Sequence, residues 1–403
     1  MSFEPDYVIV GAGLAGMVLA ERICTQLGQK CLIVEKRNHI GGNCHDQIDA
    51  HGVLVHTYGP HYFRTNSPRV REYLTNFTAW HQVEYKIKSF TDGRYWSFPV
   101  NLNTFEELLG RPSSTDELEA WLAARRIAAP NPANSEEVIT SQIGTELYEK
   151  FFLGYTLKQW KRHPRDLAPS VCGRIPVRTN RDDRYLSEEF QALPAAGYSV
   201  MFRRMLAVCG ENARVMLDTN YRDVLAEFGA VPLIYTGPVD EYFDCCYGKL
   251  PYRSLRFERE SFTPAQLRPR LAIAGKPGFW QPAMQVNYPN DHDFTRIVEI
   301  KHATGQLCAN TTIVREYPVD FEETQEPYYP VPAPDAAALY NRYAELATKS
   351  TNVAFVGRLA TYRYYNMDQV VGMALAHFAK IARTNLSVPA SSISLNKPNQ
   401  VLI

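Results

Sequence analysis

Residues Asp6-Tyr-Val-Ile-Val10 run directly into Gly11-Ala-Gly13-Leu-Ala-Gly16. A continuous apolar run of this kind reads as a parallel strand buried on both faces. Residues 17–27 follow with apolar side chains at helical spacing, and Cys31-Leu-Ile-Val34 is a second apolar strand that ends at Glu35. Strand, glycine turn, helix, strand and acid within about thirty residues form the dinucleotide-binding fingerprint. Gly11 permits the tight turn, Gly13 lets the backbone approach a pyrophosphate, and Gly16 lets the helix pack closely on the strand. The helix N-terminus offers free N–H groups and partial positive charge to the phosphates. Glu35 stands where the acceptor for a ribose hydroxyl belongs.

Outward from this unit, Glu35-Lys36-Arg37-Asn-His-Ile-Gly41-Gly42-Asn43 adds a second glycine pair just after the acid. This resembles flavoproteins of the glutathione-reductase and amine-oxidase kind, in which such a pair helps to seat FAD. The late strand Val353-Ala-Phe-Val356, reaching Gly357-Arg358 and followed by a helix from Asp368, resembles the second FAD contact of those proteins. The resemblance implies FAD as the cofactor.

The 403-residue chain is long enough for two or three domains. Its 43 Lys+Arg balance its 43 Asp+Glu, so it has no general attraction for nucleic acid or an anionic membrane. No apolar run approaches the ~18 residues of a membrane span. No basic segment followed by an apolar run marks a signal peptide at the N-terminus. The expectation is a cytoplasmic protein. The eight cysteines are scattered without a CxxC pair and read as reduced thiols, with no metal site. The 24 tyrosines suit a site that stacks rings and holds sugars.

Val83, Tyr85 and Ile87, then Tyr95, Trp96 and Phe98, alternate around Asp92-Gly93 and predict antiparallel strands. Residues 104–160 are mostly helical: Thr104 is a candidate cap with Glu107 three residues on, 114–128 form a second helix, and 135–160 hold at least one more. Residues 167–180 read as a loop, and short alternating runs over 250–318 predict a sheet. The predicted fold is α/β and α+β. A Rossmann-like FAD-binding domain is built from 1–79, 200–244 and 335–390, and a helical domain covers 103–190. An antiparallel sheet of about six strands is drawn from 80–102 and 245–334.

Phe151-Phe152-Leu-Gly-Tyr155-Thr156-Leu-Lys-Gln-Trp160 places Phe151 with Tyr155 and Phe152 with Thr156 four residues apart, on adjacent faces of a helix. Spacing alone allows a packed core stripe or a stacking platform for a nucleobase. The run resembles the uridine-binding segment of the UDP-galactopyranose mutase family. Further runs agree in order along almost the whole chain. Among them are Tyr58-Gly-Pro-His61-Tyr-Phe-Arg64-Thr65, Gly173-Arg174-Ile-Pro-Val-Arg178 and Tyr235-Thr236-Gly237-Pro-Val-Asp240. Asp293-Phe-Thr-Arg296, Glu326-Pro-Tyr-Tyr329-Pro and Gly357-Arg358-Leu-Ala-Thr-Tyr-Arg-Tyr364-Tyr-Asn366-Met367-Asp368 follow.

The resemblance implies interconversion of UDP-galactopyranose and UDP-galactofuranose by reduced FAD without net oxidation. Flavin N5 attacks the anomeric carbon and displaces UDP, and the sugar ring opens and recloses through O4. The cofactor is then the nucleophile, and the protein supplies position and charge. Arg174 and Arg296 match the two arginines that hold the diphosphate, a task suited to a planar guanidinium. Tyr155 matches the residue that stacks on uracil, with Phe151, Phe152 and Thr156 around it and Trp160 near the sugar. Tyr185, Tyr329 and Tyr364 match phosphate-binding tyrosines, and Asn366 lies near the sugar. Tyr328 and Tyr365 are neighbours that a one-residue shift would exchange for Tyr329 and Tyr364. His61 matches a histidine at the reactive edge of the flavin, where it would tune the ring or relay protons. Lys36, Gly42, Asn43, Tyr58, Thr236, Gly237, Arg358 and Met367 join Gly11, Gly13, Gly16 and Glu35 as expected cofactor contacts.

One departure stands out: many members read Phe-His-Thr where this chain has Phe63-Arg64-Thr65. An Arg64 that faced the sugar would broaden the substrate range, for example towards 2-acetamido sugars. The resemblance also implies a homo-oligomer, a dimer or larger. Three alternatives stay open: a mutase for another nucleotide-sugar, thymidine-linked ones included; an amine-oxidase-like oxidoreductase; and a flavin-binding sensor without catalysis.

Overall fold

The computed structural model describes residues 3–324 and 326–386. Five strands, Ala213–Met216, Cys31–Val34, Tyr7–Val10, Leu233–Tyr235 and Val353–Phe355, form a wholly parallel sheet in that spatial order. Val8, Ile9 and Ile33 have no exposed surface, as covering on both faces requires. Helix Leu14–Arg22 packs against helices Met367–Leu386 and Tyr198–Cys209. The carboxyl ends of four strands gather Gly11, Glu35, Thr236 and the segment before Gly357 along one edge. That edge is where open parallel sheets bind ligands.

The second sheet has seven strands, in the order Tyr329–Pro330, Tyr252–Phe262, Thr311–Asp320, Arg296–Val298, Gln285–Asn287, Ile87–Thr91 and Arg94–Phe98. The sequence reading of about six antiparallel strands therefore needs correction. Gln285–Asn287 pairs in parallel with Ile87–Thr91. These two strands come from distant parts of the chain, so no short turn constrains their relative direction. The Asp92-Gly93 hairpin is as predicted, and both residues have positive φ (53° and 73°), the conformation of a type I′ turn. A separate three-stranded sheet joins Phe63–Thr65, Phe190–Pro194 and Trp80–Gln82. Trp80–Gln82 thus pairs outside the large sheet to which the sequence reading assigned it.

In the helical region, Thr104 is not the cap. Helix Leu102–Leu109 is capped by Asn101, whose side chain accepts from the N–H groups of Asn103 and Thr104. The Thr104 hydroxyl accepts in return from the Asn101 N–H, so the same capping box sits three residues earlier. Glu107 turns away and accepts from the N–H and hydroxyl of Ser97. Helix Thr115–Ala123, capped by Ser114, stops short of the predicted 128. Helix Ser135–Tyr148, broken by a kink at Gly144 (φ 75°), continues through the wide turn Glu149–Leu153 into Gly154–Trp160. The predicted loop 167–180 contains one short helix, Ser170–Gly173, with Arg174 at its C-terminal end.

Candidate active site

A cavity of 510 Å³ opens at the carboxyl ends of the parallel strands. Its floor is backbone. A Cβ on Gly16 would lie 2.0 Å from the Gly11 carbonyl oxygen, and one on Gly42 would lie 2.9 Å from the Gly13 Cα. Only glycine lets these segments meet, and their meeting forms a cradle open to a pyrophosphate. Glu35 is buried; its Oε2 accepts from the Ala12 N–H (2.8 Å) and its Oε1 from the Arg37 N–H (3.0 Å). Lys36, Asn43, Thr236, Gly237, Arg358 and Met367 also line the cavity, as the sequence predicts. The Arg358 Nε and Nη2 are buried without a partner among the described residues. A buried guanidinium with free donors calls for an anion. Cradle and orphaned cation together fit a bound dinucleotide.

Tyr58, expected at the cofactor, stands behind the cavity wall in this arrangement. It does not line the cavity: its hydroxyl bonds to His39 Nε2 at 2.7 Å and its ring lies 4.2 Å beneath the Arg37 guanidinium. It braces the wall from behind. Arg37, which the sequence reading missed, lines the cavity and bonds to Asn43 (2.9 Å) and Glu326 (2.6 Å). Its position inside the quoted glycine motif was the available signal. His61 lines the cavity with its Nδ1 3.0 Å from the Gly59 carbonyl. A carbonyl only accepts, so Nδ1 carries the hydrogen and Nε2 is left as an acceptor. Burial pushes the His61 imidazole down to about 3. A pH–rate profile is therefore expected to show no limb from this histidine between about pH 5 and 8; a limb there that His61→Asn removes would overturn its neutrality.

A second cavity, of 60 Å³, lies beside the first. Phe151, Phe152, Tyr155, Thr156 and Trp160 reach it from the continuous helix, with Arg174 and Tyr185 from the following segments. Arg296, Tyr329 and Tyr364 close it. The ten residues come from distant stretches of chain, and all were expected to meet. Asn287 also lines it and was missed; an isolated Asn in a strand carries no sequence signal. The alternation of side chains along the chain settles the tyrosine pairs: Tyr329 and Tyr364 face this cavity, whereas Tyr328 and Tyr365 face the first.

Charge in the second cavity is strongly organised. Arg296 Nε meets Glu316 Oε2 at 2.6 Å, and Glu316 has no exposed surface. Arg174 lies 5.0 Å over the Tyr364 ring. Arg358 lies 4.5 Å over Tyr364 and 5.1 Å over Tyr329, whose rings stack at 5.7 Å. Arg358 thus lines the first cavity and packs against two tyrosines of the second, linking their walls. Burial raises the Tyr364 phenol, but Arg174, Arg358 and Arg296 outweigh it and pull the group down to about 8. An arriving diphosphate would compete for those cations and raise the phenol again, so binding favours the protonated form. Affinity for UDP is expected to fall as pH rises past about 8, by up to about tenfold per pH unit. Titration calorimetry across pH 7–10 would show this slope in the wild type and its loss in Tyr364→Phe.

Arg64 and Asn366 line neither cavity. They bond to each other (Arg64 Nη2 to Asn366 Oδ1, 2.8 Å), and Arg64 Nε pairs with Glu188 at 3.2 Å. Both were expected near the sugar; in this arrangement each is the other's partner.

Residues 150–364 match the family model for UDP-galactopyranose mutase, and residues 9–77 match that for an NAD(P)-binding Rossmann-like domain. The chain belongs to the UDP-galactopyranose mutase family. It is 34% identical to the "Probable UDP-galactopyranose mutase" of Klebsiella pneumoniae over 381 residues, covering 92% of this chain and 93% of that protein. It is 30% identical to the dTDP-fucopyranose mutase of Escherichia coli, covering 91% and 96%. The crystal structure of a reduced UDP-galactopyranose mutase superposes with a TM-score of 0.70 at 17% identity and covers 96% of each chain. Both cavities therefore sit in a UDP-galactopyranose mutase fold, and the family segment 150–364 contains every residue of the aromatic and cationic cavity except Phe98. No described helix is long and apolar enough to cross a membrane.

Proposed function

We propose that the protein interconverts UDP-galactopyranose and UDP-galactofuranose, with FAD as its resident cofactor in the reduced state. The observation that carries this reading is the link between the two walls. Arg358 lines the dinucleotide cavity, carries two buried donors without a partner among the described residues, and lies over two tyrosines of an aromatic cavity that holds two further arginines. The arginines of that second chamber would repel the ammonium of a small amine, which tells against an amine oxidase.

When bound, reduced FAD supplies the nucleophile that takes the anomeric carbon as UDP departs. The chain does the rest. Gly11, Gly13, Gly16 and Gly42 admit the pyrophosphate, and Glu35 accepts from the ribose. Tyr155 stacks on uracil within the frame of Phe151, Phe152 and Thr156. Arg174 and Arg296 hold the diphosphate, and their charge grows in value as negative charge develops on the leaving UDP. Tyr185, Tyr329 and Tyr364 orient it with hydroxyl donors. His61, neutral, presents Nε2 as an acceptor. The second cavity, at 60 Å³, is far below the roughly 300–1,000 Å³ of ordinary small-molecule pockets. Substrate entry therefore requires lining segments to part, and their return shuts water out.

The test is to incubate the FAD-loaded enzyme with UDP-galactofuranose under dithionite and to follow UDP-galactopyranose by chromatography. Conversion carries the reading; none under reduction removes the galactose assignment. A second reading, another nucleotide-hexose, is favoured by the Arg64–Asn366 pair, which sets the position of the amide expected near the sugar. Under it, Arg64→His changes the turnover ratio between UDP-galactofuranose and its 2-acetamido analogue; an unchanged ratio ends it.

A further inference from the structure

Helix Gly154–Trp160 brings Tyr155, Thr156 and Trp160 to the substrate cavity. The hairpin Gln285–Asn287/Arg296–Val298 brings Asn287 and Arg296 to it from another side. The connection between those two strands, residues 288–295, carries no regular structure. Lys158 lies on the helix but not on the cavity. Its Nζ donates to four backbone carbonyls of that connection: those of Tyr288, Asp291 (3.3 Å), His292 (3.1 Å) and Phe294 (3.1 Å). An ammonium has three N–H donors, so four acceptors share it and the loop wraps around one charge.

The same surfaces meet twice more. Asn290 Nδ2 donates to the Lys150 carbonyl at 3.0 Å. Gly154 lies so close that a Cβ there would be 2.5 Å from both Asn290 Oδ1 and the Pro289 carbonyl. Burial pulls the Lys158 ammonium down to about 8, against Asp291 and Asp293, which favour the charge. A charge kept in a half-buried place, aimed wholly at carbonyls, holds a backbone in position.

We propose that Lys158 is a positioning residue: it fixes the separation between the pyrimidine platform and the hairpin that carries Arg296 and Asn287, and so sets the affinity of ligands that span both. This rests on the uridine-diphosphate reading of the cavity. A ligand occupying two subsites gains from their fixed spacing, because the second contact forms at high effective concentration. A ligand occupying one subsite gains nothing from it.

The experiment titrates the FAD-loaded enzyme with UDP, uridine and inorganic pyrophosphate by calorimetry. Lys158→Met is expected to weaken UDP at least about tenfold while uridine and pyrophosphate change less than about threefold. Asn290→Ala, which removes one of the other ties, is expected to show the same selectivity to a smaller degree, and it decides alone if Lys158→Met does not fold. Equal weakening of all three ligands, as from a collapsed platform, or an unchanged UDP affinity, overturns the proposal. Failure of the underlying reading is visible separately, as a wild type that does not bind UDP.

Discussion

Arg174→Ala is expected to lower kcat about 10²–10³-fold while the flavin spectrum and melting temperature stay as in the wild type. The size follows from where the charge sits. Arg174 ends the short helix Ser170–Gly173, lines the substrate cavity and faces the Tyr364 ring, and it makes no ion pair among the described residues. Its removal strands no buried acid, so the fold loses little. The reaction loses a cation at the place where the departing UDP gathers charge. Lysine restores only part, since a point charge lacks the planar fork. Arg296→Ala contrasts on both counts. It also strips Glu316, wholly buried, of the guanidinium at 2.6 Å, and breaking such a pair costs about 3–5 kcal/mol of stability. Steady-state kinetics beside thermal melts separates the two arginines. Equal losses of stability in both variants would contradict the assignment of Arg174 to the ligand alone.

Gly16→Ala is expected to weaken FAD about a hundredfold, ~2.7 kcal/mol, and to yield largely flavin-free protein. The new Cβ would stand 2.0 Å from the Gly11 carbonyl oxygen and 3.2 Å from the Ile9 Cγ2. Backbone cannot swing aside as a side-chain end can, so the helix start must lift off the glycine turn, and the N–H groups aimed at the pyrophosphate move with it. Gly372→Ala is the control: it lies in helix Met367–Leu386, and its Cβ would meet only the Val70 Cγ2 at 3.9 Å. Flavin absorbance per chain after gel filtration, with a fluorescence titration of the apoprotein, gives the answer. Full flavin content in Gly16→Ala would show that the cradle is not where the cofactor sits.

The parts of the fold that local chemistry dictates were legible. The strand Tyr7–Val10, the glycine turn and the helix after it follow from a continuous apolar run and from glycines whose Cβ would clash. The Asp92-Gly93 turn follows from two residues that tolerate positive φ. Pairing between distant segments was not legible. Nothing in Gln285–Asn287 announces a parallel neighbour at Ile87–Thr91, and Phe63–Thr65 and Trp80–Gln82, which the sequence reading placed in different domains, join one sheet with Phe190–Pro194, most of which it left unassigned. The site divides in the same way. The aromatic helix and Arg174 stand in runs whose resemblance names them. Glu316 and Arg37 act through partners elsewhere in the chain, and a lone polar residue does not reveal its partner. Arg64 and Asn366, 302 residues apart, bond to each other, a pairing that neither stretch announces. Tyr58 misled through its neighbours: it shares a motif with His61 yet packs behind Arg37.

The central claim is that reduced flavin acts without being consumed, and the direct measurement is turnover per electron pair. Under anaerobic conditions the enzyme's FAD is reduced with one equivalent of dithionite, excess reductant is removed, and UDP-galactofuranose is added in large excess. The expected result is many product molecules per flavin, with the absorbance of the reduced flavin unchanged at the end. A two-electron-reduced product formed at one per flavin as the oxidised spectrum returns would contradict it and mark the protein as an oxidoreductase.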